Sequence, residues 1–560
     1  MDENVNLAVE KRYITDRFTI SKSIICIVLS VLCVLYIWHL GFYPLINPDE
    51  GRYAEIPREM IASGNFITPH LNYVEYFEKP ALQYWITAFF MMIFGQNEFA
   101  VRLFPALCAL AGIFGTYYLG EKMFGRKTGF LSAVILATSL LYFIIGSLNI
   151  LDMAVSFFIT ICLITFYQFS ITNKKYFLYI FYASMAFGTL TKGLIAIVLT
   201  MAVIVIYTFI TKQYKLLGKM LLLNGIGIFL LISVPWFYLV CKENADFFYF
   251  FFIHEHFLRY LTTLHHRYQP FYFFVPCIVL GLFPWTGFLF TSLSLKKIWN
   301  KLKNSSKRNE YIYLCIWFSV IFVFFSLSSS KLVPYIVPCF SPLAILIATR
   351  LSNVNDTNLK VPLIINAIIA LLLVVTLSIT VWKNDFISMR EFILFGSPLI
   401  MILVFSNMFS LISWFKYKNV NQIISISVVT GILFCFTLQP IITEVAEHRS
   451  SKEVAQTINL WKNSDTLIIG YKEYVQDLPF YTKSRIALYD CYDELKFGSK
   501  HPSGQGWFLN KNELINRWQN NSNIILVIPK NHKDDFIKTM NLDLNEFRHR
   551  NFERYIIVIK

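Results

Sequence analysis

Charge is scarce in this chain. Asp, Glu, Lys and Arg make up only 15% of its 560 residues, against 56% hydrophobic and 17% aromatic residues. No soluble globular chain of ordinary composition approaches that balance. Acidic residues are scarcer still, 35 against 50 basic, which leaves a formal net charge of +15. A nucleic-acid-binding protein would gather that excess on one soluble face. Here the basic residues fall in short clusters between apolar runs, as in the loops of a polytopic membrane protein. A signal-peptide cleavage site is also missing: the first apolar run is too long for a signal core and no small-x-small site follows it. The segment from Met1 to Phe18, with Lys11, Arg12 and Arg17, therefore reads as the cytoplasmic flank of a retained anchor. Repeats and low-complexity segments are absent. Most of the ten cysteines lie inside apolar runs as small hydrophobes, and only Cys241 and Cys491 are placed to meet oxidant, which excludes a disulfide framework.

What is present is a series of apolar stretches near 19–42, 97–120, 128–147, 152–171, 176–191, 193–211, 217–240, 270–292, 310–327, 332–350, 361–382, 393–415 and 421–440, roughly thirteen spans at about 20 residues each. The stretch 81–95 is apolar but short. If it lies on the membrane surface, then Lys122/Arg126/Lys127, Lys174/Lys175, Lys212/Lys215, the run from Lys296 to Arg308 and Lys416/Lys418 all fall on the cytoplasmic side. Residues 43–96 then form one long outer loop with interfacial helices, and Asp152, Lys192, the 241–269 loop and the carboxyl terminus share its side. After residue 440 the apolar runs shorten to strand length, at Thr466 to Ile469, Ile524 to Ile528 and Tyr555 to Ile559. They alternate with helical patterns at Lys452 to Lys462 and Lys533 to Met540. The expected fold is thus a polytopic α-helical membrane domain over 1–440, followed by a small outer α/β domain over 441–560.

Charges beside a bilayer need a reason, and the densest cluster is Asn47-Pro-Asp-Glu-Gly-Arg-Tyr-Ala-Glu-Ile-Pro-Arg58, continuing to Glu78-Lys79-Pro80. Pro48 is expected to close the preceding helix. Glu50 to Ala62 reads as an amphipathic helix with Tyr53, Ile56 and Met60 on one face and Arg52, Glu55 and Glu59 on the other. Asp49 and Glu50 can be catalytic or sugar-binding carboxylates, or a cap and first-turn pair; Glu50 suits the cap and Asp49 the site. Asp152 can serve a site or cap the next span. Lys192 interrupts an apolar stretch, either snorkelling to the interface or binding an anion such as phosphate. Phe77-Glu78-Lys79-Pro80 gives a fixed turn that sets one carboxylate and one ammonium beside the surface helix, or else Glu78 and Lys79 form only a mutual surface ion pair, weak in water. The 241–269 loop crowds His254, Glu255, His256, Arg259, His265, His266 and Arg267. Metal ligation there competes with simple interfacial histidines, and Arg259 suits bidentate phosphate binding.

Together these residues carry a resemblance. Asp49-Glu50-Gly51-Arg52-Tyr53-Ala54-Glu55, Arg58-Glu59-Met60, Gly64, Pro69-His70-Leu71-Asn72, Tyr76-Phe77-Glu78-Lys79-Pro80, Tyr84-Trp85 and Asn97-Glu98-Phe99-Ala100-Val101-Arg102-Leu103 resemble the aminoarabinose transferases that modify lipid A. These are members of the GT-C superfamily, which also holds protein O-mannosyltransferases. The resemblance implies transfer of 4-amino-4-deoxy-L-arabinose from undecaprenyl phosphate to a lipid A phosphate, at the periplasmic face of a bacterial inner membrane, by a monomer that requires no cofactor. It implies Asp49 and Asp152 as catalytic aspartates and Arg52, Lys79, Lys192 and Arg259 as ligands of the carrier phosphate. Glu78 and His254 would hold a structural divalent metal, zinc. Gly51 departs from the Thr or Ala expected between Glu50 and Arg52.

The chemistry fits such a set. Breaking the bond from sugar C1 to the carrier phosphate leaves negative charge on phosphate and a cationic ring, which surrounding cations and a nearby carboxylate stabilise. A lipid A phosphate, with a second pKa near ~6, attacks without a general base, so the aspartates would mainly orient the sugar and compensate its ammonium. A protein hydroxyl acceptor would need a base. Three other readings compete: another carrier-linked sugar such as galactosamine going to lipid A, a sugar going to protein Ser/Thr, and a transporter or lipid flippase, which would show internal symmetry and polar residues at midplane.

Overall fold

The computed structural model describes residues 21–258, 268–292, 302–303, 305–352, 359–383, 390 and 392–560. The flank with Lys11, Arg12 and Arg17, the loop residues Arg259, His265, His266 and Arg267, and the run from Lys296 to Lys301 lie outside the described residues.

Every expected apolar stretch contains a helix or a broken pair of helices, in a multi-pass membrane bundle. Among the described residues, seven helices are long and apolar enough to cross a membrane, or eight if the pair Arg126–Ala137 and Leu140–Gly146, bent by 66°, is one span. The count falls short of thirteen because several runs are broken or short. Residues 270–292, for example, divide into Phe274–Gly281 and Thr286–Ser292 around Pro284, which cannot continue a helix hydrogen-bond ladder. Burial separates inner from outer spans: Leu151–Thr172 and Val333–Ser352 are 78% and 89% buried, whereas Leu223–Glu243 and Ile393–Tyr417 are each 22% buried. The latter expose Leu223, Leu231 and Met401, as a lipid-facing surface must. The short stretch forms the 13-residue helix Leu82–Phe94, which buries Tyr84, Thr87 and Met91 and exposes Phe89, Met92, Ile93 and Phe94.

The loop helix is Asp49–Ser63, stopped by Gly64 in the left-handed conformation at φ 72°. Two expectations for it are corrected. The preceding helix already ends at Ile37, so Pro48 stands at the start of the loop helix instead of closing the one before. The charged face does not meet water either: Arg52, Glu55, Arg58 and Glu59 are all buried. They are covered by the turn of the hairpin His70–Leu71/Val74–Glu75 and by residues more than 400 positions downstream, which periodicity cannot reveal. The capping role expected of Glu50 is corrected as well: Pro48 holds the cap position without a side-chain bond, and Glu50, in the first turn, instead accepts from the Ile46 and Asn149 amides at 2.9 and 2.8 Å. Arg102, wholly buried, donates all five of its N–H groups, two to Glu50 and three to the carbonyls of Leu40, Tyr43 and Pro44. A guanidinium with every donor satisfied tolerates burial.

The last long helix, Val420–Arg449, leads into the carboxyl-terminal domain at Lys452–Trp461. Its six-stranded sheet runs in the order Phe508–Leu509, Ile486–Tyr489, Leu467–Tyr471, Ile524–Pro529, Tyr555–Ile559, Arg548–Asn551. The first four strands pair in parallel, and Tyr555–Ile559 pairs antiparallel with both of its neighbours. The central strand Ile524–Pro529 is buried at every residue, which is why it reads as an unbroken apolar run. All ten cysteines are free, and Cys491, expected to meet oxidant, is buried beside Asp493.

Candidate active site

Two helix ends meet at the centre of the site. Asp152 lies in the first turn of Leu151–Thr172 and Lys192 ends Tyr176–Lys192, so each charge faces the favourable end of its helix dipole. Lys192 Nζ stands 2.5 Å from Asp152 Oδ1 and 4.5 Å from the centre of the Tyr335 ring. Asp152 therefore does not act as a cap: Ile150 holds that position, and the carboxylate faces a cavity. Glu78 and Lys79 join the rim from the outer loop. Their side chains are 3.8 Å apart and 13% exposed, no surface pair, and Lys79 also donates to the Glu78 carbonyl. Apart from Ser328 and Ser330, the rest of the lining is hydrophobic. Val155 and Ile159 lie one and two turns beyond Asp152, and Ile195 and Leu199 continue past Lys192. Phe324, Phe325, Pro334, Tyr335 and Pro338 face them.

Asp49 and Arg52 do not line this cavity. They form an adjoining cluster in which Arg52, 3% exposed, pairs with Asp49 at 2.7 Å, with Glu494 of the carboxyl-terminal domain, and with the Tyr76 hydroxyl. The two groups are electrostatically continuous: burial, with the charges of Glu78 and Asp49, pushes the Glu494 carboxyl up, while Arg52 pulls it down. Sequence reasoning missed both Glu494 and Tyr335. Glu494 sits in a charged stretch, Asp490 to Lys500, that reads as solvated surface, and Tyr335 carries no charge to betray it. Arg259 lies outside the described residues. His254 stacks on Phe250 at 5.2 Å. No group of three or more His, Cys, Asp or Glu among the described residues could hold a metal ion, and Glu78 with His254 supplies two donors, short of the four a structural zinc takes.

Further along the same face of the loop helix, Glu55 binds Arg58 through two bonds of 2.6 Å, and Glu59 accepts from the Tyr73 amide at 2.9 Å while its other oxygen has no partner. Burial, reinforced by Glu55, lifts the Glu59 carboxyl well above its ordinary value of 4.5. A carboxyl raised on folding contributes stability that is complete below 4.5 and lost as pH climbs through the raised value. The thermal midpoint is accordingly expected to fall as pH rises above that point, and Glu59→Gln to flatten the decline. Parallel midpoint curves for the two proteins would contradict this.

Comparison with known proteins gives a consistent picture. Residues 78–239 match the family model described as dolichyl-phosphate-mannose-protein mannosyltransferase, and residues 454–557 match the aminoarabinose transferase C-terminal domain. The undecaprenyl phosphate-alpha-4-amino-4-deoxy-L-arabinose arabinosyl transferase of Wigglesworthia glossinidia brevipalpis is 32% identical over 538 residues, covering 90% of this chain and 92% of its own. The crystal structure of ArnT from Cupriavidus metallidurans bound to undecaprenyl phosphate superposes with a TM-score of 0.85 at 26% identity, covering 96% of this chain and 98% of that one. An oligosaccharyltransferase of Archaeoglobus fulgidus shares the fold, with a TM-score of 0.51 at 13% identity over 93% of this chain and 71% of its own.

Proposed function

The chain belongs to the undecaprenyl phosphate-aminoarabinose arabinosyl transferases, and from that premise we propose that it moves 4-amino-4-deoxy-L-arabinose from undecaprenyl phosphate to a lipid A phosphate at the periplasmic face of the inner membrane. The observation that carries this reading is the cavity. The ammonium groups of Lys79 and Lys192 share its rim with Asp152 and Glu78, above walls of hydrocarbon side chains. A phosphate on a polyprenyl tail needs that combination, cations for its head and an apolar lining for its chain.

In this reading Lys79, Lys192 and Arg259 hold the carrier phosphate, and Arg52, outside the cavity lining and paired with Asp49 and Glu494, adds its positive charge from the adjoining cluster. Asp152 keeps Lys192 aimed into the cavity, and Asp49, half exposed beside Arg52, receives the sugar ammonium. The acceptor phosphate, largely ionised at neutral pH, attacks C1 without a base. One copy of the chain supplies every group.

Mass spectrometry of lipid A from cells with and without the gene tests the proposal. A gene-dependent increment equal to a pentose amine is the expected result. A hexosamine increment would change the sugar, and unmodified lipid A with labelled sugar on protein would overturn the acceptor.

A further inference from the structure

The stretch from Trp38 to Pro48, which carries the chain from the first helix to Asp49, contains no regular helix or strand. Its direction must be set from outside. Arg102 fixes the earlier part through the Leu40, Tyr43 and Pro44 carbonyls. The final residues are fixed from the other end of the sequence. Asn47 accepts from the Asp477 amide at 3.0 Å and donates through Nδ2 to the Asp477 carboxylate. One turn into the helix, Gly51 lies directly on the backbone of Gln476 and Asp477.

We propose that Asp477 is a positioning residue for the transfer: through Asn47 it fixes the start of the loop helix against the carboxyl-terminal domain and thereby sets where the Asp49 carboxylate stands. Asp477 is fully buried and accepts three further bonds, from the Ser450 hydroxyl at 2.8 Å and from the Ser451 amide and hydroxyl at 2.8 and 2.6 Å. Those serines are the joint between the last membrane helix and the domain. One carboxylate thus joins three parts of the chain two residues from Asp49. Docking of the domain does not depend on it alone. Asn72 exchanges bonds of 2.8 and 2.9 Å with the Ile486 backbone, and Lys452 pairs with Glu98 at 2.6 Å, both far from Asn47 in sequence. What Asp477 adds is the register of the segment that presents Asp49.

The inference rests on the role given to Asp49 above, and its test separates the two. Full-length protein carrying Asp477→Asn or Asn47→Ala would be assayed for turnover per undecaprenyl phosphate-binding site, with Asp49→Asn alongside. A misplacement of about 1 Å costs on the order of a hundredfold, so turnover per site is expected to drop roughly ten- to a hundredfold in both variants. Their affinity for undecaprenyl phosphate and the number of binding sites per protein should stay within about twofold of the parent. Asn47→Ala leaves the serine joint intact and so guards against misfolding of Asp477→Asn. Parental turnover per site in Asn47→Ala, or a loss of activity matched by an equal loss of binding sites, would overturn the inference. Full turnover in Asp49→Asn would instead remove the role assigned to Asp49.

Discussion

Replacing Lys192 by Met is expected to lower kcat by roughly two to three orders of magnitude, the scale for removing one group that stabilises charge developing in a transition state. The argument starts from the charge of the leaving group. While the sugar is attached, the carrier phosphate is a diester with about one negative charge; once the C1–O bond breaks, it becomes a monoester approaching two. A cation at the cavity rim therefore interacts more strongly with the departing phosphate than with the bound donor, and such differential binding raises kcat instead of merely lowering KM. Lys192 is well placed for this, its ammonium between Asp152 and the Tyr335 ring at the mouth of the apolar cavity. Methionine preserves most of the stem that packs there while deleting the charge. Removing the partner as well separates two effects: if an uncompensated Asp152 caused the loss, Asp152→Asn in the Lys192→Met background would restore activity, whereas a missing cation leaves the double variant as slow as the single one. A variant with unchanged kcat and a raised KM would mean that Lys192 binds donor and transition state equally.

The sequence disclosed the local features of this site more readily than its assembly. Asp152 and Lys192 were each visible because a charge at the edge of an apolar run demands an explanation, yet nothing in their spacing of 40 residues announces an ion pair. The loop helix is legible too, but the burial of its charged face is not. Arg52, Glu55 and Glu59 recur at the interval of an amphipathic helix, and that interval says only that they share a face. Whether water or protein covers the face depends on Tyr76 nearby and Glu494 far away. In the carboxyl-terminal domain, buried parallel strands stood out as apolar runs, whereas Arg548–Asn551 is an exposed, charged edge strand with no hydrophobic signal to find. The short strand Ile486–Tyr489 could have been found, since four apolar residues lie between Arg485 and Asp490.

Gly51 brings local preference and long-range packing into open conflict, and Gly51→Ala measures which prevails. Within a helix, alanine is favoured over glycine by about 1 kcal/mol, so propensity alone expects a more stable protein. The space beside Gly51 gives the opposite sign. A Cβ there would stand 2.5 Å from the Asp477 nitrogen and 2.7 Å from both the Asp477 Cα and the Gln476 carbonyl carbon. These are backbone atoms, held by the bonds of Asp477 to Asn47 and Ser451, so they cannot swing aside as a flexible side chain would. Overpacking of this kind costs about 1–3 kcal/mol, occasionally more, enough to cancel or exceed the gain. The aminoarabinose transferase pattern led to an expectation of Thr or Ala at this position; with glycine, the 476–477 backbone comes closer to the loop helix than any side chain would permit. Gly51→Ala is therefore expected to lower the thermal midpoint and to open the Arg449–Lys452 joint to limited proteolysis. Because the displaced helix carries Asp49 and Arg52, turnover should fall at least roughly tenfold. A raised midpoint with parental turnover would show that the domain can step back freely, and that close approach at Gly51 has no part in holding the site together.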